Sequence, residues 1–508
     1  MQLSKKHLKQ ISSQTGLVIP NEDLFTLPEK VLQFGTGVLL RGLPDYFIDK
    51  ANRYGIFNGR VVLVKSTSNG GTDAFSKQDG LYTLCIRGLE NGKEVEETII
   101  NSSVSRVLSS KEDWNCILEC AHNPAIEIII SNTTEIGITL MEDDIHLAPP
   151  HSFPGKLLAF LYERFRKFSG HEESGMVIIP TELIPENGTK LRAIVLELAI
   201  MNQLGNEFNL WLETANHFCN SLVDRIVPGK LPDNDRFMTE KKLGYKDNLM
   251  IMAESFRLWA IESDSDKVKQ CLSFSQADEG VVIAPDIERF RELKLRLLNG
   301  THTFTCGLAF LAGFTTVREA MNNEVFSAFV HQLAIREIAS AICGETISQQ
   351  EAREFAMKVM DRFRNPFLDH AWINIALQYS SKMKLRNIPL MTKYFSKTRQ
   401  VPDYMALGFA GYLFFMKCRK NQREQYTGHS NGSEYLIEDD HAGYFSEKWR
   451  DIDHERMVDN ILTDQYFWGN NLAELSGLSA AIKLNLRSLM NNGVMTTIRR
   501  LQLNKTEA

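Results

Sequence analysis

Short apolar runs, mostly β-branched, punctuate the first half of the chain. They are Val31–Phe34 (broken only by Gln33), Val61–Val64, Ile126–Ser131 and Met176–Ile179. A strand with one wet face alternates apolar and polar residues, whereas continuous runs of this length predict parallel strands covered on both sides. Between the runs, apolar residues recur every three or four positions, most clearly over Pro154–Phe168, and predict helices. Strand and helix alternate over about 280 residues, the pattern of an α/β domain with a mainly parallel sheet. From Ile287 the glycines and β-branched runs thin out. Helical spacing continues through Glu319–Ile342, Gln350–Phe363, Trp372–Ser380 and Val401–Lys417, with Asn421–Asp440 reading as a long polar loop. Ala284-Pro285-Asp286 makes a break and a helix start. The expected organisation is α/β plus all-α: a parallel-sheet domain over residues 1–285 and a mainly helical domain over 286–508.

Composition narrows the setting. At 508 residues the chain is long for one core, and 43% hydrophobic with 24% charged residues is ordinary for a globular protein. A net charge of -6 argues against nucleic acid or an anionic membrane as the main partner. Met1–Gln10 has no apolar signal core, and no run approaches 18 apolar residues, so neither a signal peptide nor a membrane span is expected. The eight cysteines include no Cys-x-x-Cys, and the Asp439-Asp440 pair is too little for a metal site. The expectation is a cytoplasmic, metal-free protein with reduced thiols, acting on a small molecule as a monomer or small homo-oligomer.

Candidate chemistry lies where apolar runs end. Phe34-Gly35-Thr36-Gly37 follows the first run and precedes a helical stretch, the strand-turn-helix setting in which glycines let a dinucleotide pyrophosphate approach the backbone. A plain strand-to-helix turn has the same letters. The second run ends in Lys65-Ser66-Thr67 where a Rossmann unit usually offers an acid to the ribose, which by itself leans away from NAD. Asn132-Thr133-Thr134-Glu135 and Thr181–Gly188 are further polar clusters at strand ends, placed to meet a ligand or to cap a helix. Asp224-Arg225 reads as a surface ion pair or as a carboxylate held in a cleft. Glu254-x-Phe256-x-x-Trp259 reads as an aromatic packing strip. At the domain junction, Lys294–His302 puts three polar groups on one helical stretch. At about 100° per residue, His302 and Asn299 lie roughly 80° and 140° around from Lys294. A lysine can act as a general base, an asparagine can donate to an oxyanion, and a histidine can bind a substrate hydroxyl. An ordinary amphipathic helix with a solvated Lys294 would look the same.

Taken in order, these pieces resemble the long-chain mannitol dehydrogenase family of polyol-specific, metal-independent dehydrogenases. The matching segments are Gln33–Gly37, Ser131–Glu135, Leu222–Ile226, Glu254–Trp259, Lys294–His302 and Arg362-Phe363-x-Asn365-Pro366. Val64–Ser68 and Pro180–Ile184 resemble the members that act on sugar acids. The resemblance implies a Rossmann-type domain binding NAD, with Phe34, Gly35, Thr36, Gly37, Asn132, Thr133, Thr134 and Glu135 at the cofactor, followed by a helical substrate domain. It implies hydride transfer without zinc. Lys294 would be the acid/base, Asn299 would steady the oxyanion, His302 would touch substrate, and Asp224 would line the substrate site. Polyol members carry a second oxyanion asparagine where this chain has Leu183. Either Asn299 acts alone, or Asn187 or Glu182 substitutes. The polyol enzymes' substrate arginine is replaced by Asn374, while Lys382 remains as a candidate for a sugar-acid carboxylate.

Overall fold

The computed structural model describes residues 1–11, 16–66, 72–133, 137–451 and 453–506. The chain divides into two compact units, Met1–Arg87 with Glu94–Ile287, and Gly88–Lys93 with Glu288–Ala508. Residues 88–93 thus belong with the second unit, which a boundary drawn along the sequence alone leaves out.

The first unit contains strands β1 (Leu17–Val18), β2 (Glu29–Phe34), β3 (Arg60–Lys65), β4 (Tyr82–Glu90), β5 (Lys93–Asn101), β6 (Val104–Ser109), β7 (Ile128–Ser131), β8 (Val177–Pro180), β9 (His217–Phe218), β10 (Ser221–Asp224), β11 (Ile251–Glu254), β12 (Leu258–Glu262) and β13 (Val281–Ala284). The main sheet is parallel throughout, in the order β6-β3-β2-β7-β8-β9. Numbered within the sheet this is 3-2-1-4-5-6, the Rossmann order, whose direction reverses between β2 and β7. Both faces are covered. Val31, Ile128, Ile130, Val177 and Ile179 lie in one core, and Leu32, Phe34, Ile129 and Ile178 in the other. Successive side chains on a strand point to opposite faces, so two buried faces require an unbroken apolar run. That is why these strands were legible without alternation. Two smaller sheets, β1-β5-β4-β11 and β10-β12-β13, complete the unit. The first residues tie to a distant one: Lys246 donates its N–H to Met1 O and accepts from Leu3 N, at 2.8 and 2.9 Å, and Leu3 is fully buried.

From Glu288 onward the described residues of the second unit are mainly helical, with a small antiparallel sheet, β14 (Cys418–Lys420), β15 (Tyr426–Ser430) and β16 (Ser433–Leu436). That sheet replaces the polar loop expected over Asn421–Asp440. Helices Thr301–Leu311 and Asp403–Phe415 cross where glycine permits close approach. A Cβ on Gly408 would lie 2.9 Å from Phe304 O and Cβ, and one on Gly307 would lie 3.0 Å from Gly411 O. Helix Asp403–Phe415 starts against the buried Glu337, whose two carboxylate oxygens accept the N–H groups of Tyr404 and Met405 at 2.9 and 2.7 Å. The stretch Glu324–Ile342 that carries Glu337 is long and apolar enough to cross a membrane by length and composition, and 61% of it is buried within the protein. Its apolar side chains, Phe326, Phe329, Val330, Leu333 and Ile338, belong to the core.

Candidate functional site

The candidate residues fall into one group in each unit. In the first, β2 ends at Phe34 and the chain enters Gly35 at φ +133°, a conformation that side chains rarely adopt. A Cβ there would meet Leu40 Cδ1 at 2.8 Å and Asn132 O at 3.2 Å. Gly37 is the N-cap of helix α1 (Val38–Gly42), is exposed, and has nothing within 4 Å of an added Cβ. The turn is therefore tight on one side and open on the other, which fits a pyrophosphate laid along its backbone. It stands at the switch point of the sheet, because Asn132 N donates to Phe34 O across β2 and β7 at 3.2 Å. Phe34 itself is fully buried with its ring 5.3 Å from that of Phe153, so its side chain serves the core.

The segment after β7 is tied down by a residue proposed only as a substitute donor. Glu182 is buried, and its carboxylate accepts from Ser131 Oγ, Thr133 N and Thr133 Oγ1 at 3.2, 2.7 and 3.0 Å. Asn132 Nδ2 donates to Thr181 Oγ1 and O at 3.0 and 3.2 Å. Thr134 and Glu135 lie outside the described residues. Asn187 is also committed. Its Nδ2 donates to the carbonyls of Pro180, Glu182 and Ser221, and its Oδ1 accepts from Gly188 N and Ser221 N. Fully buried, it joins β8 to β10, and its amide is spent on the protein's own backbone. Leu183 is 60% exposed at the same strand end. Asp224 and Arg225 are both buried, not a surface pair. Arg225 turns to the carbonyls of Glu254 and Gly42, at 2.9 and 2.7 Å, and lies over the Tyr46 ring; burial pulls its pKa down to about 10.

In the second unit the Lys294 stretch is not α-helical. Leu293–Gly300 is a π-helix, continuing into the α-helix Thr301–Leu311. On an ideal α-helix Lys294 and Asn299 are about 140° apart. With i→i+5 bonds each turn takes up more residues, so residues five apart lie closer around the axis than on an α-helix, and such π segments recur at functional sites. The π turn thus brings Lys294 and Asn299, both half-buried, nearer to one face than an α-helix would, and His302 follows one α turn later. Arg296 holds this segment in place. Its guanidinium pairs with Glu292 at 3.2 Å and donates to the carbonyls of Leu385 and Arg386 at 3.0 and 2.6 Å. Asn387 Nδ2 donates to Gly300 O at 3.2 Å. Leu385, Arg386 and Asn387 lie in another π-helix, Met383–Asn387. A basic residue set among leucines was the available sign of this brace.

The His302 ring lies 4.0 Å from Phe363, 5.5 Å from His370 and 5.9 Å from Trp372, between centroids. Its Nδ1 is buried without a hydrogen-bond partner. Burial, and then the charges of His370, Arg362, Arg386 and Lys382, hold its pKa well below 6.5, so the ring is neutral. Lys382 donates from Nζ to Ile375 O at 3.0 Å, and burial followed by the charge of Arg386 lowers its pKa. Arg364, sequence neighbour of this cluster, is elsewhere. It donates to Ser327 Oγ at 2.9 Å and lines an open cleft of about 480 Å³ with Asn322, Glu324 and His331.

Comparison with known proteins agrees with this architecture. Residues 29–272 match the mannitol dehydrogenase Rossmann domain and residues 286–490 the mannitol dehydrogenase C-terminal domain. The chain is 37% identical to an altronate oxidoreductase of Bacillus subtilis, over 93% of this chain and 95% of that one. It is 33% identical to an altronate oxidoreductase of Bacteroides thetaiotaomicron, over 93% and 96%. Among solved structures, mannitol 2-dehydrogenase of Pseudomonas fluorescens, in a ternary complex with NAD and D-mannitol, superposes with a TM-score of 0.68. It is 22% identical, with 99% of each chain covered. A substrate-free D-sorbitol dehydrogenase gives 0.78 at 19% identity, with 98% of this chain and 100% of that one covered.

Proposed function

The chain belongs to the mannitol dehydrogenase family, and on that premise we propose that it is an NAD-dependent tagaturonate reductase interconverting D-tagaturonate and D-altronate. The observation that carries the choice of a sugar acid over a polyol is the basic cluster around His302. Of the groups that act most strongly on that ring, Arg362, Arg386 and Lys382 are cationic side chains, while burial holds His370 below its ordinary 6.5. Basic groups gathered in a partly desolvated place attract an anion far more than a neutral hydroxymethyl group. The altronate oxidoreductase relatives, 33–37% identical, support the same choice.

NAD is the cofactor of this reading, seated along Gly35–Gly37 and Asn132–Thr133. When bound, it supplies the hydride in reduction and takes it in oxidation. The protein's own groups manage the oxygen of the ketone. As negative charge builds there, Asn299 Nδ2 donates a hydrogen bond, and the Lys294 ammonium stabilises the oxygen before giving it a proton. In the reverse direction neutral Lys294 takes the proton of the altronate hydroxyl. Neutral His302, fixed against Phe363, orients a substrate hydroxyl through a ring nitrogen. With Asn187 and Glu182 committed to backbone and neighbouring hydroxyls, Asn299 acts as the single oxyanion asparagine.

The test is NADH oxidation measured side by side with tagaturonate, fructuronate and fructose. Tagaturonate is expected to give the highest kcat/KM. A higher value for fructuronate or fructose reassigns the substrate, and no turnover of any of the three overturns the reading as an enzyme of this class.

A further inference from the structure

The glycine turn rests on two buried polar side chains whose hydrogen bonds do not close. Gln33, next to last in β2, and Asp45, in helix α2 (Pro44–Arg53), have no solvent exposure. Gln33 Nε2 donates to Gly35 O and to Asp45 Oδ2, both at 3.3 Å. Those two acceptors fix the amide's orientation, since a flipped amide would set Oε1 against two oxygens. The remaining oxygens, Gln33 Oε1 and Asp45 Oδ1, are both buried without a partner. A buried acceptor left without a hydrogen bond bears the full desolvation penalty of its group, and two on adjoining groups share one remedy. A single proton on Asp45 Oδ1, donated to Gln33 Oε1, satisfies both.

We propose that Asp45 is a neutral carboxylic acid joined to Gln33 by two hydrogen bonds, and that this acid–amide pair positions the Gly35–Gly37 turn for the cofactor. The inference rests on reading that turn as the cofactor's seat. Gln33 is the link, because the same Nε2 holds Asp45 and the carbonyl of Gly35. The charged and titratable groups around the pair are accounted for. Arg41 on α1 favours the carboxylate, but its guanidinium is directed to Thr36 O and Leu249 O, at 3.3 and 2.7 Å. Asp49, one turn along α2, disfavours it and is itself taken by Ser102 and Arg53. The Tyr82 hydroxyl donates to Arg41 O, Asn101 donates to the Asp45 main-chain carbonyl, and Asp247, which bears on Arg41, accepts from Thr83 N and Gln78. Burial, opposed by Gln33 and Arg41 and assisted by Asp49, lifts the Asp45 carboxyl to about 7.

The sign follows from where the proton sits. The unfolded aspartate releases its proton near 3.9, and the folded one near 7. The pair's contribution to stability is full below the first value and is lost as pH rises through the second. The hold on Gly35 goes with it, so cofactor affinity weakens over the same rise.

The experiment titrates NADH binding by nicotinamide fluorescence between pH 6 and 8.5 in wild type, Asp45→Asn and Asp45→Ala. Wild-type Kd is expected to rise about tenfold across the range, the scale of one lost buried hydrogen bond. Asp45→Asn restores the ring as an amide–amide pair, so its Kd stays near the wild-type value at pH 6 and flat with pH. Asp45→Ala is weak at every pH. An asparagine variant as damaged as the alanine variant, or one that keeps the wild-type pH slope, overturns the proposal. Difference infrared spectra of the cofactor-free protein read the pair separately from the cofactor. A protonated-carboxyl carbonyl band is expected in wild type near pH 6, lost in Asp45→Asn, and its absence from wild type overturns the acid–amide pair. A wild type that shows the band but binds no NADH overturns the cofactor's seat instead.

Discussion

Replacing Lys294 by alanine removes the amine proposed as the acid/base. The expected loss is at least ~10²-fold in kcat, the low end for general acid–base catalysis, with NADH binding near normal. On the proposed mechanism, which asks for the neutral amine in altronate oxidation and the ammonium in tagaturonate reduction, the first rate is expected to rise with pH and the second to fall. A variant with unchanged kcat and pH profile, read by steady-state kinetics in both directions, would falsify the role. Lys382→Ala is expected to raise KM for the uronate about tenfold or more, and much less for an uncharged ketose, because a lost charge-assisted hydrogen bond is worth ~1.5–3 kcal/mol. Equal losses on both substrates would count against it. At this scale the residue types of the second unit were legible, since Lys294, Asn299 and His302 stand close together in the chain. Which atoms are spent was not legible. The Asn187 amide and the Glu182 carboxylate are consumed by partners that only folding brings near, and the Phe34 ring turns to Phe153, 119 positions on.

The π segment shows how far periodicity reaches. An apolar pattern with a spacing of three to four names a helix, but it does not reveal where one turn takes an extra residue. The hairpin of β15 and β16 hid for another reason. Most of its residues are exposed or half-exposed, so no apolar alternation announces it, although Asn431-Gly432, at φ 51° and 78°, is a turn signal of the hairpin kind. Glycine at the helix crossing gives the prediction at this scale. Gly408→Ala gains about 1 kcal/mol of helix propensity, but its methyl group meets the Phe304 carbonyl at 2.9 Å. Backbone gives way less readily than a side-chain tip, and overpacking typically costs ~1–3 kcal/mol. The second unit is therefore expected to lose stability by up to roughly 2 kcal/mol net, read as a lower urea midpoint. An unchanged or raised midpoint would mean that the two helices part without cost.

Across the whole molecule, parallel strands and a helical second half could be read from the apolar runs, because burial on both faces leaves its mark in the composition of each strand. The sheets that join distant segments could not, since pairing between β4 and β11 or between β1 and β5 depends on partners far apart in the chain. Activity is expected to survive a chelator, because the lysine mechanism asks for no metal; a loss restored by added zinc would sink it. The tie between Met1–Leu3 and Lys246 bears on the order of events during synthesis. At about 5–20 residues per second, the partner of the first segment is made roughly 10–50 seconds after that segment leaves the ribosome. Until then Leu3, which ends fully buried, has no place to go. For most of the time taken to make the first unit, the segment that carries Leu3 lacks the backbone partner that fixes it in the folded protein.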